Sequence, residues 1–120
     1  YYTGSRYGTM PSSTNGNLMY QLADKRCTQA NTCKNGIEGT SYVNSEIFKE
    51  FNHGQRNLLT GNCEGARTNK ERIETLMTIP MIQGTLRYAH IEAWETHLTE
   101  RHASQGPAFA MSVIPLVHHC

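Results

Sequence analysis

Five of the six histidines fall in the last 31 residues, at His90, His97, His102, His118 and His119. Imidazole is the commonest protein ligand for transition metals, and a phenolate or carboxylate beside two imidazoles adds the hard oxygen donor that suits Fe(III). Tyr88, His90, His118 and His119 are therefore the candidate metal ligands, with Fe(III) the candidate cofactor and Glu92 close by on the same rod. Their convergence requires residues 81–102 and 107–119 to form an antiparallel helical hairpin turning near residue 104. Both helices rise about 1.5 Å per residue, so positions whose numbers sum to about 209 would face each other, and His90 would meet His118 or His119. His90 and His97 lie about 10.5 Å apart along one axis and cannot share a metal. The paired Glu-x-x-His motifs of di-iron bundles are missing. Arg67, Arg72 and Arg87 read as helix-surface charge.

Cys27, Cys33, Cys63 and Cys120 supply the second chemistry. Their spacings fit no zinc module, whereas an even set in a small chain with few aliphatic residues suggests disulfides and an oxidising compartment. Four reduced, buried thiols in a cytosolic protein are the alternative. Three pairings are possible. Cys27–Cys33 with Cys63–Cys120 is favoured, because a short loop closes easily and the second bridge would tie down the last helix. A closed loop of about 58 residues would contribute roughly 4 kcal/mol on the chain-entropy model.

Other catalytic signatures are missing. The sequence has no G-x-S-x-G, no phosphate-cradling G-x-x-x-x-G-K-[ST], no G-x-G-x-x-G and no H-E-x-x-H. Asp24 is the only aspartate, which leaves few carboxylates for acid–base work. No catalytic residue is assigned, and the chain is expected not to be an enzyme.

These groups must be positioned by a chain of 120 residues and net charge +1, of which 18% are charged. That balance argues against nucleic-acid binding, which needs a basic surplus, and against a polybasic membrane-surface protein. The longest mostly apolar stretch, 107–117, is far short of the ~20 residues that span a bilayer. Ile, Leu, Val and Phe total 21, and only Leu18, Leu22 and Ile37 precede residue 43. Residues 1–17 read as an extended polar arm, and 18–120 as one helical, disulfide-stabilised domain. In the arm, Tyr1, Tyr2 and Tyr7 are the candidate assembly contacts, since tyrosine offers large contact area with few torsions to freeze. The chain opens at Tyr1 rather than Met and closes at Cys120, so both ends read as cut.

Apolar spacing and capping chemistry give the elements. Asn17 is expected to cap a helix over 18–26, followed by a looped, disulfide-tied connection over 27–42. Ser45 should cap a second helix to about His53, with Ile47, Phe48 and Phe51 facing inward and Gly54 as its stop. Residues 60–65 read as a turn, and Thr68 with Glu71 has the form of a capping box opening a third helix. Pro80 and Gly84 predict a kink or break, after which a rod runs from about Met81 to His102 on a core stripe of Ile91, Trp94 and Leu98. The run 104–107 predicts a tight reversal, and the last helix, apolar nearly all round, is expected to be central. The fold class is mainly α: a small irregular helical bundle with a C-terminal helical hairpin and long disulfide-tied loops.

Two segments carry a resemblance. LMYQLADKRC (18–27), and IPMIQGTLRYAH (79–90) with GPAFAMSVIPLVHHC (106–120), resemble stretches of the algal iron-assimilation periplasmic proteins, the phytotransferrin-like family. The resemblance implies a secreted or cell-surface, disulfide-bonded protein holding ferric iron for uptake. Members of that family are larger, so the chain would be about one module. No family ligand is carried over. Two functions follow. One is a secreted, non-enzymatic binding module for ferric iron. The other is a structural subunit of an extracellular filament or coat, self-associating through its N-terminal arm.

Overall fold

A computed structural model describes residues 19–94 and 99–117. The protein is mainly α, as expected: helices α1 (Met19–Ala30), α2 (Tyr42–Leu59), α3 (Cys63–Trp94) and α4 (Glu100–Val117), with a 3-10 turn at Lys34–Gly36. The span expected to be one domain divides into two compact units, one ending at Met77 and the other beginning at Thr78. No helix among the described residues is long and apolar enough to cross a membrane.

In the first unit, α1 buries Leu22, Ala23, Arg26 and Cys27 along one face. It runs a turn past its expected end at Arg26; the Asn17 cap lies outside the described residues. Asn31 then takes a left-handed backbone (φ 53°), and the Thr32 N–H donates to the Cys27 carbonyl at 2.9 Å. This is a Schellman stop, with asparagine tolerating the conformation that usually selects glycine. The stop turns the chain back so that Cys33 reaches Cys27, and the disulfide closes with Cα atoms 4.7 Å apart. Residues 33–41 form the expected tied loop, held by the Lys34 N–H to Thr40 carbonyl bond at 2.8 Å.

Ser41, not Ser45, caps α2: its Oγ accepts from the Asn44 N–H at 3.4 Å. The cap sits four residues early because the disulfide loop delivers Ser41 to α1, where its own N–H donates to Asp24 Oδ1 at 2.8 Å. Val43, Asn44 and Ile47 face inward, Ile47 being fully buried. Phe48 and Phe51, expected inward, are exposed. Gly54 does not stop α2, which continues to Leu59. A mid-helix glycine costs about 1 kcal/mol, and the contacts that α2 makes with α3 here outweigh that penalty. Gly61, at φ 72°, makes the turn into α3.

α3 starts at Cys63, ahead of the expected Thr68 box. Asn62 is the actual cap, its Oδ1 accepting from the Gly65 N–H at 3.0 Å. Thr68 instead donates its hydroxyl to the Glu64 carbonyl at 3.2 Å. The expected break at 80–84 is absent: Pro80 lies buried inside a continuous helix.

In the second unit, the C-terminal part of α3 and α4 form the expected hairpin, but its register differs. Gly106 and Pro107 lie inside α4 rather than at a reversal, and Thr99 starts the helix by accepting from the His102 N–H. α3 ends at Trp94 and α4 begins at Glu100, ahead of the turn expected near residue 104. Tyr88 meets Gln105 and Gly84 meets Phe109, pairs whose numbers sum to 193. Gly84 lets the Phe109 ring lie against the α3 backbone, which sets how closely the two helices approach. Tyr88, Ile91 and Val113 are buried here, whereas Trp94, expected in the core stripe, is 77% exposed. Leu98 lies outside the described residues.

Candidate functional site

A cleft of about 310 Å³ opens in the first unit between α1, the disulfide loop and α2. Asp24, Lys34, Ser41, Ser45, Phe48 and Lys49 are among its lining. Asp24 projects from α1 to the start of α2, where Oδ1 accepts from the Ser41 N–H and from Asn44 Nδ2, both at 2.8 Å. A carboxylate placed there satisfies exposed backbone donors and the positive end of the helix dipole. The only aspartate of the chain thus acts as a tertiary cap. Lys34 comes from the disulfide loop, and its Nζ donates to Ser45 Oγ at 2.9 Å. Lys49 pairs with Glu46 at 2.6 Å. That hydrogen bond holds the Glu46 carboxyl below its ordinary value and raises the Lys49 ammonium above its own.

Further along, α2 and α3 meet through a polar relay. Arg72 Nε pairs with Glu50 Oε1 at 2.9 Å, and Glu50 Oε2 accepts from Asn69 Nδ2 at 2.7 Å. Asn69 Oδ1 accepts from Asn57 Nδ2 at 2.8 Å, and Asn57 Oδ1 accepts from Asn62 Nδ2 at 3.2 Å. Asn62, the α3 cap, ends the series. Glu50, Gly54 and Asn57 lie three to four residues apart and so share one face of α2.

Of the metal candidates, the two described, Tyr88 and His90, point apart. Tyr88 is buried, its ring stacked on Phe109 (centroids 5.5 Å, 18°) and tilted against His102 (6.1 Å), and its hydroxyl is hydrogen-bonded to Gln105 Oε1. His90 is exposed beside Trp94, with ring centroids 6.2 Å apart. Two residues on a helix diverge by about 200°, so the packing that buries Tyr88 turns His90 away from it. The observed register places His90 across from about residue 103 rather than near the end of α4. His118 and His119 lie outside the described residues, as do the assembly candidates Tyr1, Tyr2 and Tyr7. Among the described residues no group of three His, Cys, Asp or Glu could hold a metal ion.

Of the cysteines, Cys27 and Cys33 form the expected bridge. A disulfide points to a non-cytosolic protein. Cys63, expected to pair with Cys120, is exposed and bonded to no other cysteine among the described residues. It faces solvent on the first turn of α3, and the other two described cysteines are already bonded to each other. Cys120 lies outside the described residues.

The last helix supplies a surface that the apolar pattern had assigned to the core. From His102 to Val117 the sequence carries no Asp, Glu, Lys or Arg. Val113 is buried, yet Met111 is 73% and Ile114 60% exposed, with Leu116 and Val117 also exposed. Sequence reasoning missed the cleft as well. Its signal, a lone aspartate and two lysines scattered over three elements, has no period or spacing to find. Among known proteins, no family model, no curated protein and no solved structure matches the chain.

Proposed function

We propose that the chain is a non-enzymatic, disulfide-stapled assembly module of the cell surface or extracellular space, and that it self-associates through α4. The observation that carries this reading is α4 itself, a helix with no Asp, Glu, Lys or Arg from His102 to Val117 and with Met111 and Ile114 largely in solvent. Large exposed apolar surface marks interaction sites. A second copy is the occupant best matched to it. An uncharged stripe meets its own symmetry mate without repulsion, and a net charge of +1 puts little electrostatic barrier between copies. Cys27–Cys33 supports an oxidising location. The resemblance to ferric-iron capture proteins is a second line, placed behind assembly because Tyr88 and His90 diverge.

Sedimentation velocity over a hundredfold concentration range tests the proposal. The wild-type chain should show concentration-dependent dimers or higher species, and Met111→Glu with Ile114→Glu should leave a folded monomer. Deleting residues 1–17 separates the arm from the helix: an arm-driven assembly disappears on deletion, whereas an α4-driven one persists. A wild-type chain that stays monomeric throughout would remove the proposal.

A further inference from the structure

We infer that the cleft between α1, the disulfide loop and α2 is a binding site for a small organic monoanion, a carboxylate carrying an apolar body. Its volume of about 310 Å³ falls at the small end of ligand sites, which run from about 300 to 1,000 Å³. The charges lining it decide what it takes. Asp24 is engaged by the Ser41 N–H and Asn44 Nδ2 at the start of α2. Lys49 is matched by Glu46. Lys34 is different: its hydrogen-bond partner is the neutral Ser45 hydroxyl, and it joins none of the ion pairs among the described residues. An ammonium has three donors, so Lys34 can give two more bonds to a ligand. An anionic group can accept from those donors, with the Asp24 carboxylate held on the start of α2, and the Phe48 side chain offers an apolar wall for the rest of the molecule. Lys34 is held in place from both sides. Its backbone N–H is bonded to Thr40 within the loop closed by Cys27–Cys33, and its side chain is anchored on α2. The site is thus assembled before any ligand arrives, which limits the ordering cost of binding.

The inference is independent of the assembly proposal and is tested on the full chain by ¹H–¹⁵N correlation spectra. Sodium benzoate is the probe and benzamide its uncharged counterpart. Benzoate should give saturable shifts confined to residues around the cleft, at Asp24, Lys34 and between about Gly39 and Lys49. Benzamide should bind at least roughly tenfold more weakly, the loss expected when a charge-assisted hydrogen bond is removed. Lys34→Gln should weaken benzoate by a similar factor, and Lys34→Arg should retain it. Equal binding of benzamide and benzoate, unchanged affinity in Lys34→Gln, or benzoate shifts that scatter or never saturate would each overturn it. If Lys34→Gln fails to fold, the comparison of the two probes on the wild-type chain still decides the matter.

Discussion

Replacing Asn69 by alanine interrupts the polar relay at its centre while leaving the nearby backbone packing in place. A Cβ built on Gly54 would lie 3.5 Å from the Asn69 Cβ, so the helices already approach through that carbon, which alanine keeps. What is lost is the amide. Asn57 Nδ2 loses its acceptor, and Glu50 Oε2, on a side chain only 12% exposed, loses a donor. A neutral hydrogen bond contributes about 1 kcal/mol and one to a carboxylate about 1.5 kcal/mol or more, which together give about 2.5 kcal/mol. Arg72 remains on Glu50, so the carboxylate stays paired and the cost does not rise further. Urea denaturation followed by far-ultraviolet circular dichroism reads this directly. With a slope of about 1–2 kcal/mol/M for a small chain, the midpoint should fall by between about 1.2 and 2.5 M. A double-mutant cycle with Asn57→Ala should return a coupling of about 1 kcal/mol, since the two amides share one bond. A loss below about 0.5 kcal/mol in Asn69→Ala would refute the view that hydrogen bonds, rather than apolar contact, join α2 to α3.

The glycines of the two hairpins should respond with opposite signs. Gly54→Ala meets only ordinary contact with Asn69 and should stabilise by about 0.5–1 kcal/mol through helix propensity, whereas a Cβ on Gly84 would run into the Phe109 ring and should cost about 1–3 kcal/mol; thermal melts compare them. Cys27→Ser with Cys33→Ser should lower stability by about 2 kcal/mol, the chain-entropy value for so short a loop, and reduction of the wild-type chain should reproduce the loss. Asp24→Ala should cost about 2 kcal/mol by removing the acceptor of two bonds at the start of α2, and amide exchange at Ser41 should quicken. The Lys49 hydrogen bond lowers the Glu46 carboxyl, so the pair stabilises above the ordinary carboxylate range and the contribution is lost as pH falls through the lowered value. Glu46→Gln should flatten that acid limb slightly, and salt should shrink the difference, as expected for an exposed pair.

Local chemistry alone determined much of this protein. Helical spacing and turn residues give the mainly α class, the tied loop after α1 and the C-terminal hairpin, because these depend on interactions within a few residues. The Cys27–Cys33 bridge is equally local: six positions apart, the two sulfurs need only one Schellman stop to meet. Helix ends and registers were decided by contacts distant in sequence. Ser41 caps α2 because Asp24 receives its N–H, and α2 runs through Gly54 because α3 lies against it. Pro80 and Pro107 each read locally as interruptions, yet both sit inside helices, and the start of α4 at Glu100 rather than at 107 reset which residues face each other. Tyr88 and His90 share α3 two residues apart, so burying one turned the other outward whatever the register. The Lys34 cleft needed three elements to exist at all. Charge pairing is a property of space rather than of spacing, and only the folded arrangement could reveal that the Lys34 ammonium in the cleft bonds a hydroxyl while Lys49 takes the carboxylate.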